Sequence, residues 1–315
     1  MGSAPPCSTA AASAVDEPVI AVSGSARQLL PEQRQCAYSG ALNKHSALPA
    51  IPRVTPDLMK KYLSLYDDWG GWVMRESIFF AGLFSKAQHA EGLFGDVGEI
   101  GVHHGKFTIP IALYASPSER ILAADLFQRQ AENVDKSGRG DEAVVRGNLA
   151  DFGLTEATTV LEINSLELTG QKIANLGFHG FRYLSVDGGH THDLTLNDLL
   201  FSCEVIVDGG IVALDDFVND FLGVASGAFT FIRTQARLVP FLWAANKLYF
   251  TTVLHAPVYQ SVLKSFNPHL CANKATYFAR ERQIFGRPVC VVKCNEKKVH
   301  AACGEMRDAL RKLYL

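Results

Sequence analysis

Two short segments place acids and a histidine where they could act together. One is Asp187-Gly188-Gly189-His190, after the apolar run Tyr183–Val186; the other is Asp215-Asp216, after Gly210–Leu214. Carboxylates gathered at one point repel each other unless a cation lies between them. A hard divalent ion such as Mg2+ takes oxygen ligands and keeps positions open for water or substrate oxygens. Asp187, Asp215 and Asp216 are therefore the candidate metal ligands. An imidazole titrates near neutrality and can take and release a proton in each turnover. That makes His190 the candidate base, with Asp187 beside it in the catalytic group. His192 is a spare candidate, with packing as its favoured role.

A third segment supplies a pocket. Asp96-Val-Gly-Glu-Ile-Gly-Val-His-His-Gly-Lys-Phe107 sets an acid, Glu99, and two glycines, Gly101 and Gly105, between an apolar strand and an apolar helix. A dinucleotide site needs Gly-x-Gly-x-x-Gly so that pyrophosphate lies against backbone and helix N-terminus. The wider glycine spacing here lacks that grip and suits a nucleoside ligand without phosphates, although tight-turn glycines alone would leave the same pattern. Asp125 ends the next strand, where an acid is the usual partner of ribose hydroxyls; a surface helix cap is the plainer reading. Asn164-Ser165 ends the third strand, where short polar side chains can meet an adenine edge. His103 and His104 are expected to face solvent in the loop.

These residues need elements to position them. Thr55-Pro56-Asp57 reads as a helix start, with an N-cap hydroxyl, proline in the first turn and an acid near the positive helix end. A second helix is expected from Trp72 to about His89. Strands are expected at Gly95–Ile100, Ile121–Ala124, Thr159–Ile163, Tyr183–Val186, Gly210–Leu214, Leu248–Val253 and Val289–Val292. Helical segments separate the first five, and alternating β and α predicts a parallel sheet covered on both faces. The last two strands close the chain. Phe217, Phe221, Phe229, Phe231, Phe241 and Trp243, with Trp69, Trp72, Phe79 and Phe80 of the early helices, are candidate walls of an acceptor pocket, though most aromatics at helical spacing belong to the core.

Bulk properties exclude other classes. The chain has 315 residues and a net charge of −2, so neither a nucleic acid nor an anionic membrane is expected as partner. No apolar run is long enough for a membrane helix. Seven cysteines, including Cys290 and Cys294 on one strand, occur without a Cys-x-x-Cys pair. Reduced thiols in a cytoplasmic protein are the expectation. Residues 1–48 are expected to be a flexible segment, with a targeting role left open. Residues 49–94 would be helices packing on or capping a catalytic domain at 95–315. Self-association into a homo-oligomer stays open.

Glu99-Ile-Gly-Val-His-His-Gly, Ala-Asp125-Leu, Asn164-Ser165, Val-Asp187-Gly-Gly-His190 and Gly210-Ile-Val-Ala-Leu-Asp215-Asp216 occur in that order. Together they resemble the class I S-adenosylmethionine-dependent methyltransferases, in the small-molecule O-methyltransferase branch that includes macrocin-type and catechol-type enzymes. The resemblance covers roughly residues 95–254. It implies a Rossmann-like, seven-stranded, mostly parallel sheet with helices on both faces and a C-terminal antiparallel strand pair. It implies S-adenosylmethionine as cofactor, with Glu99, Gly101 and Gly105 at the methionine end, Asp125 at the ribose and Asn164-Ser165 near adenine. Asp187 would border the cofactor as well as the metal. Mg2+ would activate a hydroxyl of a small-molecule acceptor. Metal-free transfer to nitrogen or sulfur, and a binding protein that kept the fold without the chemistry, remain the alternatives.

Overall fold

The computed structural model describes residues 52–270 and 277–294, with residues 306, 308–310 and 313. The expected N-terminal segment 1–48, Cys7, Cys36, Cys271, Cys303 and the side chain of Cys294 lie outside them. Helix α1 (Pro56–Leu65) starts as its sequence dictates, with Thr55 Oγ1 accepting the Leu58 amide at 3.2 Å. Helix α2 spans Arg75–Ala90. It does not begin at Trp72, because Met74 is still extended (φ −83°, ψ 139°), and Trp72 stands in the loop, 79% exposed.

Among the described residues, nine strands form one sheet: β1 (Asp96–Ile100), β2 (Ile121–Asp125), β3 (Thr158–Glu162), β4 (Phe181–Val186), β5 (Ile206–Leu214), β6 (Leu238–Ala244), β7 (Lys247–Thr252), β8 (Tyr277–Ile284) and β9 (Arg287–Cys294). Their order is β3-β2-β1-β4-β5-β7-β6-β9-β8. β1 to β5 pair in parallel, β7 runs antiparallel to β5 and to β6, and β9 joins β6 in parallel. The mostly parallel architecture is the expected one; the strand count is higher than the seven expected. β6 escapes the pattern because Pro240 removes a ladder donor, which a strand tolerates at an irregularity; the β6–β7 register does shift between Pro240 and Leu242. β8 escapes because Arg280, Glu281 and Arg282 interrupt it; it is an edge strand, antiparallel to β9. The antiparallel pair next to β5 is therefore the β6–β7 hairpin rather than β7 with β9.

Alternation along the strands divides the core in two. Ile121, Ala123, Ile211 and Ala213 pack on one face with α1 and α2 residues such as Tyr62, Phe80 and Phe84. Leu122, Ala124, Val212 and Leu214 pack on the other with Leu199 and Phe201 of α6 (His192–Val205) and Phe231 of α7 (Leu222–Thr234); in this numbering α3 is Thr108–Leu113, α4 Glu142–Asp151, α5 Gly170–Asn175 and α8 Ala256–Leu270. At the start of β4, Arg182 is wholly buried. It is held by Glu119 (2.7 Å), Ser85 Oγ (2.8 Å), Gln88 (2.9 Å) and the Tyr114 carbonyl (3.1 Å), which ties α2 to the sheet. At the opposite edge, the strand ends are stitched in series. Gly101 N donates to Ala124 O, Asp187 N to Ile100 O and Asp215 N to Val186 O, each at 2.8 Å.

Candidate functional site

That stitched carboxyl edge opens into a cavity of about 890 Å3. Glu99, Gly101, Asp125, Asn164, Ser165, Asp187, His190, Asp215 and Asp216 all border it. Gly105 does not. Its φ of +83° makes the turn after Val102, where its amide donates to Val102 O at 2.8 Å and its carbonyl takes Ile109 N at 3.0 Å, so it starts a helix rather than lining a wall. Gly101 has a sharper requirement. With φ +85°, a Cβ there would stand 1.7 Å from the Asp187 carbonyl oxygen. Only glycine lets the first loop pass so close to the fourth.

Glu99 is buried, and Thr108 Oγ1 donates to its Oε2. Burial pushes its carboxyl up to about 8, against the opposing pull of Thr108 and Lys247. Asp125 accepts the His103 amide on Oδ2 and the Phe127 amide on Oδ1, both at 2.8 Å. Each carboxylate oxygen keeps a second acceptor site, so a vicinal diol can still be received. Asn164 is spent on the turn itself: Oδ1 takes Leu166 N at 3.0 Å and Nδ2 donates to Glu132 at 2.8 Å. His103 differs from its solvent-facing expectation; it borders the cavity, with its ring centroid 5.6 Å from that of Trp72.

The acids meet His190 at the far end. His190 Nε2 lies 2.8 Å from Asp216 Oδ2, and its amide donates to Asp135 Oδ2 at 2.6 Å. Nδ1 is 3.1 Å from that same Asp135 oxygen, and Phe221 stacks on the ring at 4.0 Å. Burial draws the imidazole pKa down, but Asp216 and Asp135 outweigh it, and the net shift is upward. Asp216 moves the other way: burial raises it, while His190 and Lys247 bring it below the usual carboxylate range. For Asp187, burial and then repulsion from Asp215 push the pKa well up.

One ligand atom each from Asp187, His190 and Asp216 lies within 4.8 Å of the others. Asp215, expected as a third acidic ligand, is not in this group. Its Oδ2 pairs with the ammonium of buried Lys247, and its Oδ1 accepts Asp216 N at 2.9 Å. Asp216 itself has φ +54°, and Asn246 Nδ2 holds its Oδ1 at 3.1 Å. Sequence reasoning missed Asp135, Asn246 and Lys247. The first lies in a polar loop without periodicity; Asn246 lies in the hairpin turn after the unexpected strand β6, and Lys247 opens β7 just beyond it.

Residues 99–217 match the model of a family described as a methyltransferase domain. Solved structures of similar shape include an O-methyltransferase from Bacillus cereus (16% identity, TM-score 0.46, covering 62% of this chain and 89% of that one). The O-methyltransferase NovP is another, at 15% identity and TM-score 0.47, covering 56% and 79%. TomG from Streptomyces achromogenes is a third, at 13% and 0.37, covering 76% and 89%. These likenesses are too distant to bring a substrate or a residue role to this chain. No curated protein sequence matches it. Residues 99–217, which supply most of the cavity lining, thus match a methyltransferase domain.

Proposed function

We propose that the chain methylates a hydroxyl oxygen of a small molecule, with His190 as the base. The observation that carries this reading is the His190 clamp: an imidazole oriented between Asp135 and Asp216, stacked on Phe221, at the end of the cavity that begins at Glu99 and Asp125. When bound, S-adenosylmethionine supplies an electrophilic methyl group on positive sulfur. Glu99 and the Gly101 turn would receive the methionine end, Asp125 the ribose, and Ser165 the neighbourhood of adenine. A hydroxyl is a poor nucleophile at neutral pH. His190 takes its proton on Nδ1, which makes no hydrogen bond, as the oxygen attacks, while Nε2 donates to Asp216 Oδ2 and fixes the ring.

The donor set fits a divalent ion in part. Asp187 carries no hydrogen bond to its carboxylate among the described residues, and Asp216 presents one oxygen toward the same space. Mg2+ would be held by these two and would lower the acceptor's pKa when bound. Asp215 is not free to join them. Residues 49–94 act in this reading as a cap: Lys106 Nζ donates to Trp69 O (3.0 Å) and Gly71 O (3.1 Å), holding the loop that carries Trp72 above the cavity.

The test is a labelled-methyl transfer assay against a metabolite extract, with Mg2+ and with EDTA. An O-methylated product supports the reading. Transfer to nitrogen or sulfur, undiminished by EDTA, would replace it with the metal-free alternative.

A further inference from the structure

The acids around the reacting centre leave a question of charge. Glu99, Asp187 and Asp215 crowd one end of the cavity, and the buried ammonium of Lys247 pairs with one of them. Lys247 is 1% exposed. Lysine is almost never fully buried without a partner, because the desolvated charge is expensive. Here Nζ meets Asp215 Oδ2 and lies 4.8 Å from the centroid of Phe107, whose ring borders the cavity. Burial lowers the Lys247 pKa, but Asp215 and then Asp187 raise it further, so the group stays charged.

The backbone is arranged to deliver it. The β6–β7 turn passes through Ala245 in a left-handed conformation (φ +55°). Asn246 then takes Phe217 N on its carbonyl at 2.9 Å and holds Asp216 through its side chain at 3.1 Å. Successive residues of one turn thus grip the two successive aspartates that end β5. Asn246 orients Asp216 toward His190, and Lys247 commits Asp215.

We infer that Lys247 is a positioning residue that withdraws Asp215 from the ligand-facing acids and sets the net charge at the sulfur end of the cavity, and so fixes the preference for a cationic over a neutral cofactor. This rests on the methyltransferase reading above. Substrate and product of that reaction differ by one positive charge at sulfur. One unit of charge added or removed nearby changes their relative affinity by roughly tenfold or more in a partly desolvated site. Without Lys247, an uncompensated Asp215 favours the cation more strongly. Without the Asp215 charge, Lys247 disfavours it.

Titration calorimetry on the full chain tests this with two ligands of one skeleton: S-adenosylhomocysteine, neutral at sulfur, and sinefungin, which carries an ammonium at that position. The readout is the ratio of the two Kd values, neutral over cationic. Lys247→Met is expected to raise it roughly tenfold, Asp215→Asn to lower it by a similar factor, and the charge-balanced double variant to return it close to wild type. A change in overall packing would weaken both ligands together and would not reverse sign. If either single variant does not fold, the other single variant and the double variant carry the comparison, since the double variant leaves neither charge buried alone. Ratios unchanged within twofold, or a double variant that follows either single one, would overturn the inference. Failure of the wild-type chain to bind either ligand would instead overturn the cofactor reading on which it rests.

Discussion

In the proposed reaction, His190 is the residue on which the chemistry turns. Its imidazole lies between two carboxylates that raise its pKa above the ordinary value. A base must be unprotonated to act, so kcat/KM is expected to climb with pH through a value above the usual ~6.5 of histidine. Asp135→Asn removes one of the charges that raise that pKa, and the rising limb should move to lower pH. A pH–rate profile of the two proteins checks both statements; an Asp135→Asn limb at the wild-type position would contradict them. His190→Ala should lower kcat by about 10^2 to 10^4 and leave the calorimetric affinity for S-adenosylhomocysteine nearly unchanged. At this scale the sequence was informative about residue types and silent about pairing. Asp187, Asp216 and His190 could be found because each follows an apolar strand at the sheet edge. That Asp215 belongs to Lys247 could not be, because the partner lies across a hairpin whose first strand contains Pro240.

Among the elements, the tightest constraint is the passage of the β1 loop beneath the β4 loop. Gly101 holds a positive φ there, and a Cβ would collide with the Asp187 carbonyl. Gly101→Ala is expected to cost about 2–3 kcal/mol of stability through overpacking and to displace Asp187 from His190. Urea unfolding together with S-adenosylhomocysteine titration would show it; a variant with normal stability and affinity would contradict the crossing described here. The glycine's need was legible from its place between strand and helix. The role of Gly105 was not, because a turn glycine and a ligand-lining glycine leave the same letter in the sequence. The parallel half of the sheet was readable from β/α alternation. The added β8–β9 edge was only half readable, since charged side chains suit an exposed edge strand and hide its period.

Across the whole molecule, the Arg182–Glu119 pair joins α2 and the loop before β2 to the central strand β4. Burial would raise the Glu119 pKa, but His89 and Arg182 outweigh it and bring it down to about 2. A depressed folded-state pKa contributes stability that is present above the unfolded value of about 4.3 and lost as pH falls toward 2. Glu119→Gln leaves a buried guanidinium without its counter-charge and should cost about 3–5 kcal/mol at pH 7. The difference from wild type should shrink as pH falls from about 5 to about 3. Urea unfolding at several pH values measures it, and a pH-independent difference would remove the charge from the explanation. Among the described residues, no helix is long and apolar enough to cross a membrane.

The most direct measurement is titration of S-adenosylhomocysteine into the purified chain, followed by the same titration into Asp125→Ala. Micromolar binding of one ligand per chain, weakened at least tenfold when the Asp125 carboxylate is removed, is the predicted result. Absence of binding up to millimolar ligand, or affinity indifferent to Asp125, would contradict the assignment of this cavity to the cofactor.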